Sequence, residues 1–328
     1  MKCIALFSGG LDSMIAIRLI KDQNIDVIAL HIDTGFGDGG DAKANALAKR
    51  AEICGGIYEK ISVQDEFLKD ILFNPKYGYG KHLNPCIDCH GFMFNTALKL
   101  LEKFDAKFLI TGEVLGERPM SQRSEALKQV CKLSGDTQNL ILRPLSAKLL
   151  PPTKPEILGW VDRNKLLDIS GRGRKRQFEL AKFYNFSDYE TPAGGCLLTL
   201  EAFSNKVKDF VKFNPKITKD EVALLKLGRH LRLPQGSKMV IGKDENQNAK
   251  ILSLFKNGLK KFYDLVEFDG IGALSLISKN GCFEDLNLAA KIAITYSKAT
   301  KCKVKIGEFC CECEKFQDKS EIARYFVV

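Results

Sequence analysis

The stretch ALFSGGLDSMIA, residues 5–16, sets a Ser-Gly-Gly-Leu-Asp-Ser loop between two apolar patterns of different period. Cys3–Phe7 is a short apolar run, which reads as a buried strand. Beyond the loop Met14, Ile17, Leu19 and Ile20 recur at helical spacing. A strand-to-helix junction of this kind presents free backbone N–H groups and the positive end of a helix, a setting that favours an anion. Gly9 and Gly10 let the main chain approach such an anion closely, and Ser8 and Ser13 add hydroxyls. The loop is therefore read as a phosphate cradle. It is not the G-x-x-x-x-G-K-[ST] loop, and G-x-G-x-x-G does not occupy this turn.

The alternation continues. Val27–Ile32 reads as a strand, Ala42–Cys54 as a helix, Tyr58–Val63 as a strand, Asn95–Phe104 as a helix and Phe108–Ile110 as a strand. Apolar strands separated by helices imply a parallel sheet covered on both faces, with ligands bound past the carboxyl ends of the strands. Two further stretches fall at such ends, HIDTGF (31–36) and LITGEVLGERPMSQR (109–123). From them we take His31 and Asp33 as backbone partners for an adenine edge, and Gly112 as room for ribose or adenine. Arg118 is read as a counter-charge for the α phosphate. Asp12 is placed to hold Mg²⁺ on phosphate oxygens, a hard-cation pairing.

The chain has 328 residues, enough for two cores, and no apolar run approaches the ~20 residues of a membrane span. The first strand begins almost at once, and the expectation is a cytoplasmic protein with no membrane partner. In that setting eleven cysteines point to metal, cluster or sulfur chemistry more than to disulfides. Cys3 and Cys54, in apolar surroundings, read as core residues. Cys86 and Cys89 form a C-x-x-C, a weak signal by spacing alone in so cysteine-rich a chain. Asn84-Pro85 forces an irregular turn ahead of them, before a helix that could begin near Cys89, where thiolates are readily formed. A third cysteine, Cys196, follows Gly194-Gly195, and His90 could add a ligand were the metal zinc.

Taken together, Ser8-Gly9-Gly10-Leu11-Asp12-Ser13, Asn84-Pro85-Cys86-x-x-Cys89, Thr111-Gly112-Glu113 and Pro192-Ala193-Gly194-Gly195-Cys196 resemble the tRNA thiouridine synthases of the ATP pyrophosphatase (PP-loop) superfamily. The resemblance implies a doubly wound α/β sheet, ATP and Mg²⁺ as cofactors, and adenylation of a uridine carbonyl with release of pyrophosphate. It makes Asp12, Cys86, Cys89 and Cys196 the catalytic residues. In some members three such cysteines hold a [4Fe–4S] cluster, which would make Cys86, Cys89 and Cys196 its ligands; in others one cysteine carries a persulfide and another resolves it. The resemblance also implies tRNA and a sulfur donor (a cysteine desulfurase, a sulfur carrier or free sulfide) as partners. Related enzymes that form a nitrile on a small molecule carry a four-cysteine zinc site, and an RNA-binding protein with a relic nucleotide loop is a further alternative.

Near residue 204 the chain becomes lysine-rich and the alternation stops, giving domains of 1–205 and 206–328, the second smaller and α+β. Residues 220–308, with Gly242-Lys243 followed by Asn246 and Asn248, resemble the RNA-binding module of the NFACT proteins. A formal net charge of +10 suits a polyanion. Arg229, His230, Arg232, Lys238 and Lys243 form a basic stretch suited to phosphates, and Arg172, Arg174, Lys175 and Arg176 crowd the loop SGRGRKRQ. Cys310, Cys311 and Cys313 near the end of the sequence find no role.

Overall fold

The computed structural model describes residues 1–37, 41–190, 195–279 and 281–328, and divides into two units, Met1–Thr199 and Leu200–Val328. The first unit runs β1 (Lys2–Leu6), α1 (Leu11–Lys21), β2 (Asp26–Asp33), α2 (Asp41–Cys54), β3 (Ile57–Ser62), α3 (Gln64–Phe67), α4 (Cys86–Lys99), β4 (Leu109–Thr111), α5 (Ser124–Ser134), β5 (Ile141–Leu142), α6 (Lys154–Ile157) and α7 (Lys175–Phe183). Its five strands pair in parallel in the order β3-β2-β1-β4-β5. Successive strand residues face opposite ways, so each strand feeds two cores. Cys3, Ala5, Val27 and Ala29 join the α1 side, and Ile4, Ile28, Leu30 and Ile32 join the side that also holds Phe94 of α4 and Val130 of α5. This is the doubly wound sheet expected from the alternation, with β1 at its centre.

Two readings are corrected. The helix expected over Asn95–Phe104 starts nine residues earlier, at Cys86, behind Pro85 at its N-cap. Asp88, buried in the first turn, accepts the Lys76 and Tyr77 N–H groups at 2.7 and 3.0 Å, which pins the preceding loop to the helix. α5 and β5 were not anticipated.

The second unit contains α8 (Glu201–Phe213), α9 (Lys219–Leu225), β6 (Arg229–Arg232), β7 (Lys238–Ile241), α10 (Glu245–Asn257), β8 (Tyr263–Phe268), β9 (Ser275–Ser278), α11 (Phe283–Thr295), β10 (Lys301–Ile306) and β11 (Phe309–Glu314). The strands form one antiparallel sheet, β11-β10-β8-β9-β7-β6. Met239 and Ile277 pack with α11 on one face; Val240 and Leu276 pack with Leu224 and Ile251 on the other. Among the described residues, no helix is long and apolar enough to cross a membrane.

Candidate functional site

A cavity of about 400 Å³ opens at the carboxyl ends of β1, β2 and β4. Ser8, Gly10, Asp12, Ser13, His31, Asp33, Gly112, Arg118, Cys86, Cys89 and Cys196 all line it. Gly9 lies behind the loop with φ +75°, where a Cβ would stand 2.3 Å from the Leu47 side chain. Gly10 is the N-cap of α1, so the N–H groups of Leu11, Asp12 and Ser13 have no carbonyl within the helix. Ser13 Oγ donates to the Gly10 carbonyl at 2.7 Å, so its hydroxyl shapes the loop, while Ser8 Oγ accepts from the Gly10 N–H at 3.3 Å.

Gly112 does more than leave room for a ligand. A Cβ there would lie 2.5 Å from Ser13 N and 2.6 Å from the Asp12 carbonyl carbon. Its bare backbone is what lets the end of β4 touch the first turn of α1.

Asp12 is held from an unexpected direction. Its Oδ2 accepts from Arg174 Nη2 at 3.1 Å, and Arg174 Nε lies 3.7 Å from Glu117. Arg174, expected on the tRNA backbone, lines the cavity beside Asp12. Burial raises the Asp12 carboxyl, against the opposing charges of Arg174 and Arg118. Burial and the Asp12 charge raise Glu117. Asp12 Oδ1 is buried without a hydrogen bond of good geometry, although the side chain of the fully buried Gln177 lies close enough to help hold the Asp12 carboxyl down. A buried carboxylate oxygen that faces the cavity without a good hydrogen bond suits Mg²⁺, which takes few protein ligands and completes its shell with phosphate and water.

His31 Nδ1 lies 3.1 Å from the Phe7 carbonyl, and burial lowers its pKa, so the ring is neutral at pH 7. Asp33 accepts from the Gly35 N–H at 2.9 Å and Gln64 at 3.2 Å. Burial pushes its carboxyl up, but those bonds and Lys60 outweigh it and hold it low. Asp33 thus fastens the turn after β2.

Cys86 opens α4 and accepts from Asn84 Nδ2 at 3.3 Å. Cys89 lies one turn on. Burial, then the negative charges of Cys196 and Cys86, push its thiol well up. Cys196 is stitched to the strand end after β2 by pairing with Gly37 and by the Leu197 N–H to the Phe36 carbonyl at 2.9 Å. The three thiols thus share one cavity. Among the described residues no three His, Cys, Asp or Glu side chains could hold a metal ion together. Three cysteine side chains on one cavity wall do fit an iron–sulfur cluster, whose ligands stand farther apart than those of one ion. Thr191, Pro192, Ala193 and Gly194 lie outside the described residues.

Sequence reasoning missed the support behind this wall. Glu113 is buried, with His90 Nδ1 at 2.9 Å on one oxygen and Arg143 Nε at 2.9 Å on the other. Burial favours the protonated acid, but Arg143 and His90 hold its pKa below the ordinary value. His90 also lines the cavity. Glu113 was visible in the quoted motif, but nothing near it in sequence pointed to Arg143.

Of the other basic residues, Arg172 and Lys175 are exposed and Arg176 pairs with Asp168. In the second unit the basic stretch is not a solvated face. Arg232 grips Asp209 with bonds of 3.0 and 2.9 Å, and Lys238, 2% exposed, reaches the same carboxylate at 2.6 Å. His230 is buried too. Arg229 donates to the Gly242 carbonyl at 3.1 Å and lies over the Tyr296 ring, whereas Lys243 is exposed. Cys310 and Cys313, though spaced C-x-x-C, occupy a strand and face opposite ways. Cys313 lies across from Cys302 on β10, and burial pushes its thiol up to about 11.

The parallel sheet, the loop geometry and the ligand-end cavity define the first unit as a nucleotide domain of the HUP, PP-loop class. Residues 2–79 match the family described as the argininosuccinate synthase N-terminal HUP domain, and residues 228–322 match the NFACT protein RNA-binding domain. The first match falls in the first unit and the second in the second unit. It is 30% identical over 134 residues to the tRNA-specific 2-thiouridylase MnmA of Petrotoga mobilis, the match spanning 35% of each chain. It is 24% identical over 329 residues to tRNA-specific 2-thiouridylase MnmA 2 of Fusobacterium nucleatum, spanning 98% of this chain and 79% of that one. Among solved structures it is similar to the U34-tRNA thiolase NcsA of Methanococcus maripaludis with its [4Fe-4S] cluster, at 18% identity and a TM-score of 0.34, covering 69% of this chain and 73% of that one.

Proposed function

We propose that this protein is an ATP-dependent tRNA thiolase that converts a uridine carbonyl into a thiocarbonyl. What carries the reading is one cavity lined both by a phosphate-binding helix start with a buried carboxylate and by three thiols. A site that only hydrolysed or bound ATP would have no use for the thiols.

The N–H groups of Leu11–Ser13 and the charge of Arg118 receive the phosphates. Asp12 would hold Mg²⁺, whose charge would offset that of the phosphates, and His31 and Asp33 border the adenine. A uridine turned out of its stack presents its carbonyl oxygen to the α phosphorus. The new P–O bond forms as the bond to pyrophosphate breaks, which turns a poor leaving oxygen into one carried by AMP. Sulfide from a donor then adds to the same carbon, the C–O bond breaks, and AMP leaves with the oxygen. Arg174 bonds Asp12 and lines the same cavity, where its charge would complement the phosphates, so we assign it to ATP and not to tRNA. A [4Fe–4S] cluster held by Cys86, Cys89 and Cys196 would supply, when bound, an iron with an open position for sulfur. Asn84 orients Cys86, and the Glu113–Arg143 pair fixes His90 beside Cys89. Arg172, Lys175, Arg176, Arg229 and Lys243 remain as tRNA contacts; Arg232 does not, because its guanidinium is engaged by Asp209.

The test is nucleoside mass spectrometry of bulk tRNA from cells with and without the gene. Loss of one thiouridine supports the reading and names the attacked carbon. An unchanged thionucleoside profile, with no tRNA-dependent pyrophosphate release from the purified protein, refutes it. In the purified protein Asp12→Asn should abolish that release while leaving tRNA affinity intact.

A further inference from the structure

The second unit carries its own cavity, of about 380 Å³, walled by α8, the β6–β7 hairpin and the segment entering β8. Part of that wall, Phe210, Phe213 and Glu221, lies before the residues that match the RNA-binding family. Of the cationic side chains that line it, Arg232 and Lys238 are paired with Asp209, which leaves Lys261 and Lys279 to face the one lining carboxylate, Glu221. Glu221 is already occupied: its oxygens accept from the Thr218 N–H and hydroxyl and from Asn214. Lys261 and Lys279 are therefore the charges the cavity offers an anion.

It also offers an aromatic surface. Phe213 is 50% exposed, and the Arg232 guanidinium lies 4.1 Å from its ring centroid. That guanidinium is fixed by its two bonds to Asp209 and by a 2.6 Å bond to the Gly236 carbonyl. A rigid arginine–aromatic pair is a stacking platform, and base stacking on such a ring does not depend on base identity. Lys261 and Lys279 stand at the same cavity without a close carboxylate bond; Lys279 is 3.7 Å from Asp264. Burial lowers the Lys238 ammonium to about 8, against the support of Asp209, so a bound anion would hold its proton more firmly. The volume sits at the small end of the range for ligand pockets, roughly 300–1,000 Å³.

We infer that this cavity binds one unpaired nucleotide, its base against Phe213 and its phosphate on Lys261 and Lys279. The inference rests on RNA being the substrate but not on the thiolation chemistry. A duplex end cannot use it, because its bases are already stacked and paired.

The test is fluorescence anisotropy with the full-length protein and no ATP, using a labelled five-nucleotide oligoadenylate and a blunt RNA duplex. Phe213→Ala should weaken the oligomer about tenfold, within the range seen for loss of a stacked base, and leave the duplex unchanged. Lys261→Ala should weaken it and reduce the salt slope by about 0.7. Phe213→Leu keeps an apolar side chain at the site and should behave as the alanine variant does if stacking is the cause. Competition separates the sources: displacement by AMP supports a nucleotide site, whether free or in RNA. Displacement by inorganic phosphate at equal concentration overturns the nucleotide assignment. Unchanged oligomer affinity in both Phe213 variants, or an equal fall for oligomer and duplex, overturns it as well. These readings stand even where no thiouridine is formed, so the two proposals fail separately.

Discussion

Gly112→Ala puts a methyl group where two backbones already touch. The added carbon would lie 2.5 Å from Ser13 N, 2.6 Å from the Asp12 carbonyl carbon and 2.7 Å from Ser13 Cα. Ordinary contacts are about 3.5 Å or more, so the end of β4 and the first turn of α1 must part by about 1 Å. All three atoms belong to main chain, and no rotamer change can relieve them. Overpacking typically costs about 1–3 kcal/mol, and here the upper end applies. For a unit of this size 3 kcal/mol corresponds to a fall in Tm of about 6–12 °C. The N–H groups that move are those that face the phosphates, and an error of about 1 Å in a reacting geometry can cost about 100-fold in rate. Calorimetry reads the first effect and tRNA-dependent pyrophosphate release the second. Gly173→Ala is the control: no atom lies within 4 Å of its Cβ, so the same chemical change should be silent. A Gly112→Ala variant with wild-type Tm and wild-type pyrophosphate release would refute the argument.

Arg174→Ala should weaken ATP about tenfold, as for loss of a charged hydrogen bond, and leave tRNA affinity unchanged; the reverse pattern in equilibrium binding would return Arg174 to the tRNA. Cys196→Ala should lose sulfur insertion yet keep pyrophosphate release, and its iron content should fall. Retained thiolation would remove Cys196 from the mechanism. Glu113 titrates lower in the folded chain than in the unfolded one, so the unfolded state takes up its proton first as pH falls. Its contribution is complete above about pH 4.5 and disappears below it. Glu113→Gln should flatten that part of the acid-unfolding curve. At neutral pH it should cost about 3–5 kcal/mol, because Arg143 is left buried without its counter-charge. An unchanged acid slope would show that the pair does not stabilise the fold.

Much of the first unit could be read from local patterns. The strand–loop–helix of Lys2–Lys21 and the Cys86–Cys89 pair are each contained in a short segment, where period and turn chemistry act directly. The second unit was less legible. β8 and β11 lack clear alternation, and β6 read as a basic stretch because its arginines were counted as charge without their partners.

The sequence by itself determined the local pieces: a glycine loop between strand and helix, a carboxylate in the first helical turn, thiols elsewhere, and a lysine-rich second part. Only the tertiary structure decided which residues serve it together. Arg174 meets Asp12 across 162 positions, and Arg143 meets Glu113 across 30. Arg232 and Lys238 meet on Asp209 instead of on solvent. A short pattern carries backbone conformation because neighbours in the chain set it. The partner of a buried charge is set by how strands and helices pack, and no local window records that.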